Sequence, residues 1–341
     1  MAEQQLSDLI PRFDLRGMDL QLERMRHAIQ ALGSPCGDIP AIQVAGTNGK
    51  GSIVSFLSAA LQQASILSGV TTSPHLVSWC ERIAIDGIPI SETQLRQLLL
   101  AQKQLCAKHQ LTPFEQLLIA ALAHFHAESV DLLVMEVGLG GRLDATTAHP
   151  NRPVIAMASI GLDHCEHLGS TLTAIATEKA AVITPGARVI SAEQPEAVRD
   201  VLEQTCSANN ADLQWVDPLP KDWSLGLAGD WQRRNAAVAR GALQALDRLG
   251  WSLDEATIRA GLAQARWRGR LQTVIWQGHP LLLDGAHNPP AAEQLALERQ
   301  RWQGQEQGVV WILGIQAHKQ AVGMLQLLLQ PQDQALSLIH I

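Results

Sequence analysis

With 341 residues, 46% of them hydrophobic, the chain is long enough to bury a sizeable core and to form two domains rather than one. A formal charge of −7 and a pI near 5.9 leave no basic footprint of the kind that phosphate-backbone binding needs, so nucleic acid is not an expected partner. Five cysteines (Cys36, Cys80, Cys106, Cys165, Cys206) without a C-x-x-C pair point to reduced, packed thiols and not to a disulfide framework.

The segment Met1 to Leu15 mixes acids, glutamines and a proline where a secretion signal needs a basic start and an unbroken apolar stretch. No apolar run approaches the ~18 residues of a membrane span. A cytoplasmic monomer without membrane attachment is therefore expected. The chain has nine tryptophans and no tyrosine, for which we have no physical account.

The first expected strand, Ala41 to Ala45, runs into Gly46-Thr47-Asn48-Gly49-Lys50-Gly51-Ser52 and a helix over Ile53 to Leu61. Glycines let backbone N–H groups crowd around phosphate oxygens, the helix N-terminus adds positive potential, and Lys50 reaches the outer phosphates of a nucleotide triphosphate. The loop departs from G-x-x-x-x-G-K-[ST], because Val44 stands at the first glycine and Gly51 displaces the hydroxyl to Ser52. A plain glycine turn is the alternative, but a lysine between two glycines at a helix start has no packing use.

After a second short strand, Thr71-Thr72-Ser73-Pro74-His75-Leu76 is a polar turn at the sheet edge; Ser73 is either a magnesium ligand or a turn residue. Leu132 to Val137 is a buried strand carrying Glu136, followed by a glycine-rich loop through Gly138, Gly140, Gly141, Arg142 and Asp144. An acid at a parallel strand's end beside a phosphate loop suits hydrated Mg²⁺, the alternative being an ion pair with Arg142. Val154 to Ile160 leads to Asp163-His164-Cys165-Glu166-His167, where two histidines invite a zinc reading but lack a second ligand pair. A nucleotide-associated metal suits His164 better. Lys179 falls on a helix around Ala176 to Ala181, where a lone lysine is ordinarily a solvated surface group.

Val189 to Ser191, Leu281 to Leu283 and Val309 to Leu313 complete the expected strands. Strand, polar loop, then helix is the order of a doubly wound α/β protein with a mostly parallel sheet and ligands at the strands' carboxyl ends. Ala197 to Trp231 has weak periodicity, Ala236 to Leu249 is helical, and a boundary is expected near Arg266 to Arg270. That divides the chain into 1–266 and 267–335. The last six residues, 336–341, read as a translated sequencing adapter or as a short edge strand, and the second domain is expected to be incomplete after a helix over Gln320 to Leu329.

Six blocks, Gly46 to Ser52, Thr72 to Leu76, Glu136 to Thr146, Asp163-His164, Glu178 to Ala180 and Asp284 to Pro289, together resemble the folylpolyglutamate synthase and dihydrofolate synthase group of the Mur ligase superfamily. The resemblance implies a P-loop Mur-ligase central domain followed by a Rossmann-like C-terminal domain. It implies an ATP-dependent ligase that adds L-glutamate to dihydropteroate and to tetrahydrofolate through an acyl phosphate. By the same resemblance, Gly46 to Ser52 bind ATP phosphates, with Asn235, Arg270, Asp284 and His287 as the remaining ATP contacts. Ser73, Glu136 and His164 hold two Mg²⁺ ions, Lys179 is carbamylated, and Lys50, Lys179 and His164 are the catalytic groups. Dihydropteroate touches Asp19, Leu20, Gln21, Thr112, Phe114, Asp144 and Ala145, the Phe114 ring stacking on the pterin.

Two departures stand out: Thr147 where the family often has Asn, and His318-Lys319-Gln320 where it has Asp-Lys-Asp. Cell-wall precursor ligases carry a UDP-binding domain ahead of the phosphate loop, for which too few residues precede Gly46. A polyglutamate synthase alone, or a non-ligating ATPase or inactive ATP-binding fragment, are the other readings. The ATPase reading leaves the Asp284 to Pro289 block without a purpose.

Overall fold

The computed structural model describes residues 6–10, 21–302, 307–316 and 319–337, so Asp19, Leu20, His318 and 338–341 lie outside the described residues. Eight strands come first: β1 (Ala41–Ala45), β2 (Ser68–Thr71), β3 (Ile83–Ile85), β4 (Ile88–Pro89), β5 (Leu132–Glu136), β6 (Val154–Met157), β7 (Arg188–Ala192) and β8 (Asp212–Val216). They form one sheet in the order β4-β3-β2-β5-β1-β6-β7-β8. It is parallel from β2 to β8, with β3 and β4 antiparallel at one edge. β1, β5 and β6 are buried along their whole length, which is why they read as unbroken apolar runs and not as alternating ones.

Helices cover both faces. Lys50–Gln63, Gln232–Asp247 and Glu255–Gln264 pack on the face of Ile42 and Val44. Pro113–Ala127 covers Leu133 and Met135 on the other face, and Leu172–Ala180 with Glu196–Ala208 covers Ile155 and Val189. The weakly periodic stretch from Ala197 thus holds a helix and the half-exposed edge strand β8. Among the described residues, no helix is long and apolar enough to cross a membrane.

Beyond residue 266 lie β9 (Gln272–Trp276), β10 (His279–Leu283), the helix Pro289–Arg299, β11 (Val310–Leu313), the helix Ala321–Leu328 and β12 (Gln334–Ser337). Their own small core contains Leu271, Ala292, Leu295, Trp311, Met324 and Leu328. The apolar run at Leu281 is not part of a parallel sheet here, which corrects the expectation. β10 pairs antiparallel with β9, because Gln277 and Gly278 both take positive φ (49° and 82°), the backbone of a two-residue hairpin turn. β11 and β12 are parallel, and Leu336 and Ser337 of the expected tail are the last two residues of β12.

Candidate nucleotide and metal site

β1 delivers the chain to the phosphate loop at the carboxyl edge of the sheet. Gly46 has φ 135° and lies so close to β6 that a Cβ would come within 2.7 Å of the Ala158 methyl, so both backbone and space demand glycine. Thr47 N–H donates to Ser159 O (2.8 Å), fixing the loop to the chain leaving β6. The helix begins at Lys50, longer than expected, and Lys50 Nζ donates to the carbonyls of Gly46 and Thr47 (both 3.2 Å). Ser55 donates to Arg266 O (2.9 Å) and the Trp267 indole lies against Gly51, so the linker is fastened to the phosphate-loop helix.

Glu136 ends β5, in register with Val44 one strand away. It is 4% exposed and its Oε2 accepts the Ser73 N–H (3.0 Å), which brings the two expected magnesium ligands together. Burial raises its pKa, against the opposing pull of Lys50 and Arg270. Arg142 pairs with Glu178 (3.0 Å), so the alternative Glu136–Arg142 ion pair does not form.

Lys179 departs from the expectation for a lone helical lysine. It shares the inward face of its helix with Ile175 and Ala176, is 5% exposed, and donates from Nζ to the same Gly46 carbonyl (3.0 Å) that Lys50 uses. Burial, and then the Lys50 charge, bring its pKa down to about 7.

Asp163, after β6, is a junction that the sequence did not single out as a site. It accepts from Lys319 Nζ and Asn288 Nδ2 (both 2.8 Å), and His287 Nε2 stands 3.5 Å away. Burial opposes its ionisation, but the hydrogen bonds from His287, Lys319 and Asn288 outweigh burial and hold its carboxyl well below the usual range. Asn288 also exchanges amide hydrogen bonds with Asn48 of the phosphate loop (2.9 and 3.0 Å). Asn288 also caps the helix Pro289–Arg299, its side chain accepting the Ala291 N–H (3.0 Å). His164, with φ 50°, has a buried Nδ1 that lacks a hydrogen-bond partner, and burial lowers its pKa.

A cavity of about 330 Å³ lies between these parts. Asn48, Gly49, Ser52 and Asn235 line it from the sheet side; Arg270, Asp284 and His287 line it from beyond the linker. All four expected ATP contacts outside the loop therefore meet the loop in one space. Asp284 is set by the N–H groups of Leu271 and Ala286 (both 2.9 Å), and Asn235 by Gln232, which in turn donates to Ser52.

Of the expected acceptor residues that are described, Thr112, Phe114, Asp144 and Ala145 lie on the other side of β5. Thr112 caps the helix Pro113–Ala127 in a reciprocal box with Glu115, and Glu115 holds Arg24 (2.9 Å) just past the exposed Gln21. The Phe114 ring lies against Gly138, and Ala145 is buried in the cluster that Phe114 packs on. Asp144 corrects an expectation. Its carboxylate is 1% exposed and accepts from the N–H groups of Gly138 (2.9 Å), Leu139 (3.1 Å) and Thr146 (2.9 Å) and from the Thr146 hydroxyl, so it shapes the loop instead of facing a ligand.

Among the described residues, no group of three or more His, Cys, Asp or Glu side chains is placed to hold a metal. Oxygen donors from Ser73 and Glu136, with phosphate and water completing the shell, fit Mg²⁺, which keeps waters and takes few protein ligands. The unpartnered His164 nitrogen fits a second cation near Lys179.

Residues 270–339 match the family described as dihydrofolate synthetase, C-terminal domain. The dihydrofolate synthetase of Saccharomyces cerevisiae is 33% identical, over 94% of this chain and 81% of its own length. The dihydrofolate synthase/folylpolyglutamate synthase of Bacillus subtilis is 36% identical, over 82% and 72% respectively. Among solved structures, E. coli FolC in complex with DHPP and ADP superposes with a TM-score of 0.84 at 29% identity, covering 94% of this chain and 79% of that one.

Proposed function

Because the chain belongs to the dihydrofolate synthase/folylpolyglutamate synthase family, we propose that it joins L-glutamate both to dihydropteroate and to tetrahydrofolate at the expense of ATP. The observation that carries this is the single cavity in which the phosphate loop meets Asn235, Arg270, Asp284 and His287, with Glu136 and Lys179 at the loop's other side. The E. coli relative, holding DHPP and ADP together, supports pairing that cavity with an acceptor pocket beside Phe114.

A carboxylate is a poor acyl donor. Its oxygen first takes the γ-phosphoryl group, giving an acyl phosphate and ADP; the glutamate nitrogen then attacks the carbonyl carbon, phosphate leaves, and the amine gives up a proton. Lys50, on the loop carbonyls, offsets negative charge as the phosphoryl group moves. Ser73 and Glu136 would hold one Mg²⁺ and His164 a second, and bound Mg²⁺ supplies charge neutralisation at the phosphate oxygens. Arg270, Asp284 and His287 form the cavity's far wall.

Lys179 fits a carbamate: a buried amine with a pKa of about 7 is substantially neutral at physiological pH and can attack carbon dioxide, losing a proton to become an anion. In gently ionised intact protein kept in bicarbonate, the mass should carry one added carbon dioxide, and Lys179→Met should lack it. In carbon-dioxide-free buffer, the folded pKa of about 7 lies below the ordinary lysine value of 10.5. Between those values the unfolded chain binds the extra proton, so this residue's contribution to stability rises with pH. The Met variant's stability advantage should be greatest at pH 7 and below and shrink towards pH 9, by up to about 1.4 kcal/mol per pH unit. A gap independent of pH would refute the shifted lysine.

The test of function is ADP release with glutamate and either dihydropteroate or tetrahydrofolate, each omitted in turn. Release with both acceptors is the expected result. Release with tetrahydrofolate alone would leave a polyglutamate synthase, and release indifferent to both would leave an ATPase.

A further inference from the structure

Behind the acceptor-side loop runs a buried polar chain that the ligase chemistry above does not use. It starts at Gln43, wholly buried in the middle of β1 between Met135 and Ile155 of the neighbouring strands. An amide in such a place is costly unless it is hydrogen-bonded. Its Nε2 donates to the hydroxyls of Thr146 and Thr147 (both 2.9 Å), and its Oε1 accepts from Arg152 Nη1. Arg152, 8% exposed, is held in turn by the carbonyls of His149 (2.8 Å) and Val182 (2.7 Å). Thr146 donates a hydrogen bond from its own hydroxyl to Asp144.

The direction of this chain is fixed at both ends. Burial raises the Asp144 pKa, but all four of its partners are donors aimed at its two oxygens, the arrangement of a carboxylate. A guanidinium can only donate and a carboxylate can only accept, so the amide of Gln43 and the hydroxyl of Thr146 each have one possible orientation. A buried cation and a buried anion are thus joined through two neutral groups, neither charge being left uncompensated. Asp144 spends the rest of its capacity on the N–H groups of Gly138 and Leu139, where the Phe114 ring rests. Thr147, the departure from the family's usual Asn, belongs to the same network: it accepts from Gln43 and donates to Gly141 O (2.8 Å).

We propose that Arg152, Gln43 and Thr146 form a positioning relay for the pterin-bearing acceptor, holding the Asp144 grip on Gly138 and Leu139 and so setting the pocket wall beside Phe114. The proposal rests on the acceptor pocket of the proposed function. None of the three lines the nucleotide cavity, so the relay acts on one substrate and not on the other.

The test compares Thr146→Val, which keeps the shape and loses the hydroxyl, with Thr146→Ser, which keeps the hydroxyl; Gln43→Met breaks the relay one link further back. In Thr146→Val the KM for dihydropteroate should rise about tenfold, as loss of one hydrogen bond to a charged group implies, with the KM for ATP unchanged. Thr146→Ser should restore the wild-type value, and Gln43→Met should repeat the split. An unchanged dihydropteroate KM in Thr146→Val, an equal rise in both KM values, or a rise that merely tracks a lowered melting temperature would overturn the relay. Wild-type protein without acceptor-dependent ADP release would overturn the underlying pocket and the relay with it, a result read before any variant is made.

Discussion

Lys50→Met is expected to lower kcat by about two to three orders of magnitude, the range seen when one group aimed at transition-state charge is removed. Lys50 makes its two hydrogen bonds to carbonyls of its own loop, and methionine keeps the unbranched stem, so little of the fold depends on the ammonium. Its charge also works against Lys179, being the second cause of that residue's lowered pKa. The variant should therefore melt no lower than wild type, while Lys179 becomes easier to protonate and harder to carbamylate. Steady-state ADP release and thermal denaturation on the same preparations check both halves. A fall in turnover of only a few-fold would show that Lys50 does not meet the moving phosphoryl group.

The second large effect is expected from Asp163→Ala. The Lys319–Asp163 pair has side chains 10% and 9% exposed, and removing the carboxylate leaves a buried ammonium without its partner, a loss of up to about 3–5 kcal/mol. Asn288 would lose one of its two anchors and keep only Asn48. Because Arg270, Asp284 and His287 enter the nucleotide cavity from the part that this junction holds, the KM for ATP should rise by more than about tenfold. Asp163→Asn, which can still accept from Lys319, should fall between. An ATP KM within about twofold of wild type in the Ala variant would mean that the Trp267 linker alone keeps the two parts in place.

The central strands were legible because burial on both faces makes a parallel strand an unbroken apolar run, as at Ala41 to Ala45 and Leu132 to Glu136. The phosphate loop, Glu136 and Ser73 were legible because each sits at a strand's carboxyl end, where the fold collects ligands. Lys179 was legible only through the family resemblance: at the level of one helix a buried lysine and a surface lysine have the same neighbours in sequence, and only the packing of Ile175 and Ala176 turns it inward. The contacts among Asp163, Asn288 and Lys319 were hidden for a different reason, since they join positions 125 and 156 residues apart. The hairpin of β9 and β10 was missed although Gln277-Gly278 carries its signal, because three leucines in a row outweighed the turn.

The linker has an optical consequence. In a chain without tyrosine, near-ultraviolet emission on excitation at the aromatic band comes from its nine indoles. One of them, Trp267, lies on the first turn of the phosphate-loop helix, and another, Trp231, lines the nucleotide cavity. A polyanion arriving there changes the local electric field on both rings, so the colour and intensity of the emitted light gauge occupancy without any dye. The contribution removed by Trp267→Phe would report on the linker, and that removed by Trp231→Phe on the cavity.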